Sequence, residues 1–202
     1  MAWYRVWEHF TLILTAMGFI IVIGMVLGII SYLYPRPGKI ILTLVDIMQT
    51  IPSLATLGIV MILFGGNRTT VIIGIVLYSL LPIVRNTNTG LNNVSAAVQE
   101  AARGMGMTRT YQLLHVDLPL AFPLIFTGIR IAAVTSISVA VFGTFVGGGG
   151  LGEVIYQGIR VQSMEQVLFG TASLMMMALL IDGLMSLVER HLYQRIGLQN
   201  LQ

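Results

Sequence analysis

Glu100-Ala101-Ala102-Arg103-Gly104-Met105-Gly106, followed by Val116-Asp117-Leu118-Pro119, forms a polar island in a chain that is otherwise almost continuously apolar. Of its 202 residues, 56% are hydrophobic and 9% are charged, and the mean hydropathy is +0.88. Soluble domains carry roughly a quarter charged residues, so this is the composition of an integral membrane protein. The island therefore defines its flanks: apolar spans that hold one polar loop outside the bilayer. Within it Leu91, Val94, Val98, Ala101 and Met105 recur at intervals of three, four, three and four. That is a helical stripe, with Asn92, Asn93, Gln99 and Arg103 on the other side. Gly104 and Gly106 end this helix, and Thr108 is placed to cap a second short one through His115. Pro119 sits where the next span begins, a position at which its missing N–H costs nothing.

A membrane-spanning helix needs about 20 largely apolar residues. Working outward from the loop at 91–118, five stretches are predicted spans: 10–34, 40–64, 69–88, 120–146 and 167–188. There is no internal repeat or low-complexity linker, so 1–202 is read as one all-α transmembrane domain. Five spans put the termini on opposite sides. Arg36, Lys39, Arg85, Arg103, Arg109, Arg190 and Arg195 fall on one face, against Arg5, Arg68 and Arg160 on the other, with Arg130 inside a span. Seven against three places the loop and the C-terminus in the cytoplasm and the N-terminus outside. Trp3, Tyr4, Trp7 and Tyr34 suit the interfacial belts. The first ten residues do not resemble a cleaved leader, because the apolar run after them is too long.

Several chemistries are excluded. The absence of cysteine removes disulfides, thiolate sites and cysteine nucleophiles, and His9, His115 and His191 lie too far apart for a ligand cluster. Lys39 is the only lysine and stands between Gly38 and Ile40, outside any phosphate-binding loop. Gly147-Gly148-Gly149-Gly150-Leu151-Gly152 follows an apolar span, not a strand, and is read as a tight bend or close helix contact. No catalytic residue and no cofactor or metal held by this chain is expected. Basic residues never gather with aromatics on a soluble face, so nucleic acid is not an expected partner.

The spans carry their own signals. Gly24 with Gly28, and Gly143 with Gly147, have the small-xxx-small spacing of closely packed membrane helices. Asp46, Arg130 and Asp182 lie in or near apolar runs, where a charge needs a partner or water. Each is either paired with a nearby opposite charge or part of a transport site. Gln49-Thr50-Ile51-Pro52-Ser53 interrupts the second span and Leu80-Leu81-Pro82-Ile83 the third. Proline removes a backbone hydrogen bond and kinks a helix. These kinks either serve packing or mark a translocation path through Gln49, Pro52, Ser53, Pro82 and Asn86.

The loop helix has two physical uses, lying on the membrane surface or docking in a groove of a partner. Surface helices carry many Lys or Arg on their polar face, and this one has Arg103 and little else. Glu-Ala-Ala, a glycine four positions after the second alanine, and an aliphatic-x-Leu-Pro ending resemble the coupling motif of bacterial ABC-type importer permeases. Gln49–Ala55, Leu81–Thr87 and Gly149-Gly150-Leu151-Gly152 are similar to the osmoprotectant branch, whose cargo is glycine betaine, carnitine or choline. The resemblance runs from about Pro35 to Arg190.

It implies a type I permease fold in a bacterial plasma membrane. Glu100, Ala101, Ala102, Gly106, Leu118 and Pro119 would couple to a separate ATPase, which holds the ATP and Mg. It also implies an outer gate segment at Gly149, Gly150 and Gly152 before a short helix at 153–160. A second permease chain (identical or paralogous), a separate substrate-binding protein and membrane lipid complete the expected partners. Methionine or another amino acid is the alternative cargo, and a stand-alone ion-coupled carrier the alternative class.

Overall fold

The computed structural model describes the backbone of residues 2–196 and the side chains of 3–192. Arg195, counted above among the cytoplasmic charges, lies outside the described side chains. The order is α1 (Ala2–Leu33), α2 (Pro35–Thr50), α3 (Ser53–Phe64), α4 (Arg68–Asn92), α5 (Ala96–Gly104) and α6 (Arg109–Gln112), then a π-helical turn (Leu113–Asp117). It continues with α7 (Leu118–Val141), a 3₁₀ turn (Phe142–Val146), α8 (Leu151–Arg160) and α9 (Met164–Ile196). Among the described residues four helices are long and apolar enough to cross a membrane, or five spans if α2 and α3 count as one. That matches the all-α architecture expected from hydropathy.

α1, α4 and α7 pack on one another and hold the core, with Leu12, Ala16, Ile20, Ile75, Ile83, Ala132 and Ala140 fully buried. Small residues make this possible. A β-carbon at Gly24 would meet Ile83 at 2.9 Å, and one at Gly28 would meet Thr87 at 2.5 Å. On the other side of α4, Gly128 lies under the Pro82 carbonyl, 2.7 Å from where its β-carbon would be. Without a hydrophobic drive between helices inside lipid, such close approach supplies the dispersion contacts that hold them together. Ser136 adds an interhelical hydrogen bond, donating to Ser79 Oγ at 3.2 Å. α9 is the least buried span, with Met177 its buried hydrophobic residue and Leu179, Leu180, Leu184 and Leu187 exposed.

The second span departs from expectation. The predicted kink within 40–64 is a complete break: α2 and α3 meet at 103°. Pro52 has no N–H to continue α2, and it forces Ile51 into an extended conformation, φ −75° and ψ 128°. The third span shows the opposite outcome. α4 runs through Pro82 without interruption and extends to Asn92, past the expected end at 88.

The loop stripe is also corrected. Leu91 belongs to α4 and is buried, Asn93–Ser95 is non-helical, and α5 begins only at Ala96. The stripe is therefore split between two helices. Of the α5 residues, Ala102 is buried, whereas Val98 is 39% exposed; Met105, just past the helix end, is 70% exposed. Thr108 caps α6 as expected, accepting from Tyr111 N, but that helix does not stop at His115. It continues through the π-helical turn directly into α7, where Pro119 occupies the first turn.

Candidate functional site

The knuckle formed by α5 and α6 carries the Glu-Ala-Ala residues. Ala102 faces inward, against the protein's own surface, and Met107 N closes the turn on the Ala102 carbonyl at 3.2 Å. Glu100 and Ala101 face outward, and Glu100 forms no ion pair among the described residues. Gly106 sits at φ +80°, in the left-handed region that disfavours side chains, with nothing within 4 Å of its hypothetical β-carbon. Leu118 and Pro119 are half-buried at the root of the knuckle. This geometry presents a small, rigid corner with one carboxylate and little side-chain bulk. Tyr111 stacks on His115, with centroids 4.0 Å apart, and stands exposed beside it. The motif did not point to that pair.

The path candidates come together at the break. Pro82 cannot donate a hydrogen bond, so the carbonyl one turn earlier, Tyr78 O, loses its helical partner. Gln49, in the last turn of α2, supplies the replacement, donating from Nε2 to Tyr78 O at 3.2 Å. Asn86, one turn after Pro82, donates its side-chain amide to the Pro82 carbonyl at 2.8 Å. Gln49 thus repairs the defect that Pro82 makes, joining the broken span to α4, while Asn86 bonds within its own helix. Pro52 is exposed and Ser53 half-buried at the bend itself. The bend leaves helix-end backbone groups to be satisfied by water or protein.

A double-mutant cycle tests this repair. Gln49→Leu is expected to lower the stability of the purified protein by about 1–3 kcal/mol, the penalty for an unsatisfied buried carbonyl. In a Pro82→Ala background, which restores a backbone N–H to serve Tyr78 O, the same change should be nearly neutral. Equal losses in both backgrounds would contradict the repair.

Asp46, Arg130 and Asp182 each have a partner. Arg85 Nη2 reaches both oxygens of Asp46, at 2.6 and 2.7 Å, joining α4 to α2. Arg130 grips Asp182 at 2.5 and 2.8 Å and approaches Glu189 at 3.5 Å, joining α7 to α9. The partner of Asp182 is thus on another helix, and not the arginine near the end of its own. Half-exposed ion pairs on helices that cross a bilayer are costly toward lipid, so these faces need water or protein against them.

The glycine-rich segment is a strap. Gly147, Gly149 and Gly150 all have φ between 70° and 81°. Gly150 N donates to Glu8 Oε2 at 2.8 Å, and Arg5 bridges Glu8 at 2.7 Å and Glu153 at 2.6 Å. Gly149 lies against the Glu8 carboxylate, and Gly150 over the buried ring of His9. Gly152 is buried against the Val141 carbonyl at the start of α8, the short outer helix expected at 153–160. The latch by α1 was not legible from motifs, because its partners are more than 140 residues apart. Among the described residues no group of three or more His, Cys, Asp or Glu could hold a metal.

The sequence and the fold as a whole are shared with known proteins. Residues 20–196 match the family described as binding-protein-dependent transport system inner membrane component. The chain belongs to that family. Among the permease's relatives is the carnitine transport permease protein OpuCD of Listeria monocytogenes, 39% identical over 187 residues, 92% of this chain and 84% of that one. The choline transport system permease protein OpuBB of Bacillus subtilis is 35% identical over 199 residues, 98% of this chain and 91% of that one. The inward-facing structure of the MetNI methionine ABC transporter matches with a TM-score of 0.86, covering 95% of this chain and 96% of that one, at 22% identity. At that identity it shows the fold alone. The permease is a multi-pass inner-membrane component of a transport system, and not its ATP-hydrolysing enzyme.

Proposed function

We propose that this permease carries quaternary ammonium osmoprotectants of the glycine betaine, carnitine and choline class into the cell, driven by a separate ATPase. The observation that carries the coupling role is the outward Glu100–Ala101 corner, rigidly rooted by Ala102 and the continuous turn into α7. The cargo class rests on the relatives, whose printed names are carnitine and choline permeases. The N-terminus lies outside and the knuckle in the cytoplasm, in keeping with the arginine distribution.

Two permease chains, identical or paralogous, enclose the path, and the half-exposed Asp46–Arg85 face supplies a surface that suits water or a second chain better than lipid. A separate binding protein selects the cargo, since an aromatic cage for a quaternary ammonium needs clustered rings. ATP binding closes the ATPase pair, and the knuckle converts that motion into rigid-body rocking of the spans. The test is reconstitution with the ATPase and binding protein in proteoliposomes. Uptake of glycine betaine, carnitine or choline should require ATP and survive proton uncouplers. Uptake of none of the three, or uptake that collapses with uncouplers, would refute the proposal.

A further inference from the structure

A cleft of about 330 Å³ opens between the end of α1 and the knuckle. Part of its lining is apolar, Leu33 and Leu113. Its wall toward the knuckle carries Tyr32, Gln99, Arg103 and Arg109. Arg103 donates Nε to the Gln99 carbonyl at 3.2 Å, and Gln99 donates to Tyr32 Oη at 3.3 Å, which fixes that wall. Neither guanidinium forms an ion pair among the described residues. The acid at the back, Asp117, is 3% exposed and shielded by Gln112, and Arg36 is exposed next to Pro35 at the rim. The cleft thus has two forked cations lining a recess, a hydroxyl beside them, and apolar residues where α1 ends.

We infer that this cleft binds the phosphate of an acidic phospholipid headgroup from the cytoplasmic leaflet, through Arg103 and Arg109. Guanidinium groups hold phosphate bidentately, and basic recesses at the cytoplasmic rim of spans are suited to anionic headgroups. The recess is concave and small, which favours a headgroup over an acidic protein surface. Leu33 and Leu113 are placed for the glycerol and upper acyl chain. The inference rests on the proposed orientation, which puts the knuckle in the cytoplasm. A bound lipid there would tie the knuckle to the membrane plane, so the anionic content of the leaflet would set how firmly the coupling corner is held.

The assembled transporter, exchanged into phosphatidylcholine with or without phosphatidylglycerol, is examined by native mass spectrometry. Wild type should retain phosphatidylglycerol in preference to phosphatidylcholine. Arg109→Gln should weaken retention about fivefold, and Arg103→Gln with Arg109→Gln about thirtyfold, at roughly fivefold per cation. Arg109→Lys, which keeps the charge and loses the fork, should fall between. Retention unchanged in the double variant overturns the inference. Displacement of phosphatidylglycerol by millimolar inorganic phosphate, or binding of phosphate with no lipid retained, assigns the cleft to a free anion and overturns the lipid source. Variants that shed the ATPase yet keep the lipid place the arginines in the protein interface and overturn it too. Wild type that retains phosphatidylglycerol but holds no ATPase supports the lipid site while refuting the proposed function, so the two readings fail separately.

Discussion

Glu100→Ala combined with Gly106→Leu is expected to reduce ATP-dependent uptake by about two orders of magnitude, the loss typical of truncating a central anchor of a protein interface. The permease itself should fold and insert as before. Glu100 is exposed and forms no ion pair among the described residues, and the space around Gly106 is empty within 4 Å. Leucine at φ +80° costs about 1–2 kcal/mol locally, small against a bundle held by α1, α4 and α7. The damage would therefore fall on whatever the corner touches. The measurement is ATPase co-purification together with transport-coupled ATP hydrolysis. Wild-type uptake in the double variant would show that the corner is not where force enters. Uptake lost with a lowered melting temperature would show a folding defect instead, and the single Glu100→Ala variant separates the two.

The spans and the knuckle were legible in the sequence because hydropathy and helical punctuation are local properties. A charge-free run such as that of α1 reads as a span regardless of its neighbours. Gly104, Gly106, Thr108 and Pro119 mark helix ends for reasons that act within one turn. What failed was also physical. Leu91 joined the loop stripe because its spacing from Val94 is helical, but Asn93–Ser95 leaves the helix, so the period crosses a boundary it cannot see. Pro52 and Pro82 look alike in sequence, yet one breaks a span and the other does not. At Pro82 the lost bond is replaced: Tyr78 O finds a donor in Gln49, which belongs to another helix. Arithmetic could have named Tyr78 as the carbonyl at risk, but only tertiary structure names its rescuer.

The charges follow the same division. Asp46, Arg130 and Asp182 were marked by the expense of a charge in lipid, a local argument, whereas their partners depend on which helices meet. Asp182 is eight residues from Arg190 along one helix and still pairs with Arg130 on α7, because α7 and α9 are packed together. The outer latch of Arg5, Glu8 and Glu153 was out of reach for a further reason. Glu153 lies more than 140 residues from Arg5 and Glu8 and carries no motif, so only the crossing of α1 over the strap brings them together.

The second large effect is expected at that strap. Gly152→Ala would place a methyl group onto the Val141 carbonyl oxygen, a backbone atom at the end of α7 that cannot rotate away. Relief requires α8 to lift from α7, and forced expansion of a well-packed contact costs about 3 kcal/mol. Lifting α8 also draws Gly150 N from Glu8 and Glu153 from Arg5, so the latch should weaken with it. Gly18→Ala is the comparison. Gly18 lies inside α1 with nothing within 4 Å, and alanine there should stabilise the helix by up to about 1 kcal/mol. The purified protein should melt well below wild type with Gly152→Ala and at or slightly above it with Gly18→Ala. Wild-type melting with Gly152→Ala would mean that α8 does not rest on the end of α7, and that the latch, rather than this contact, positions α8.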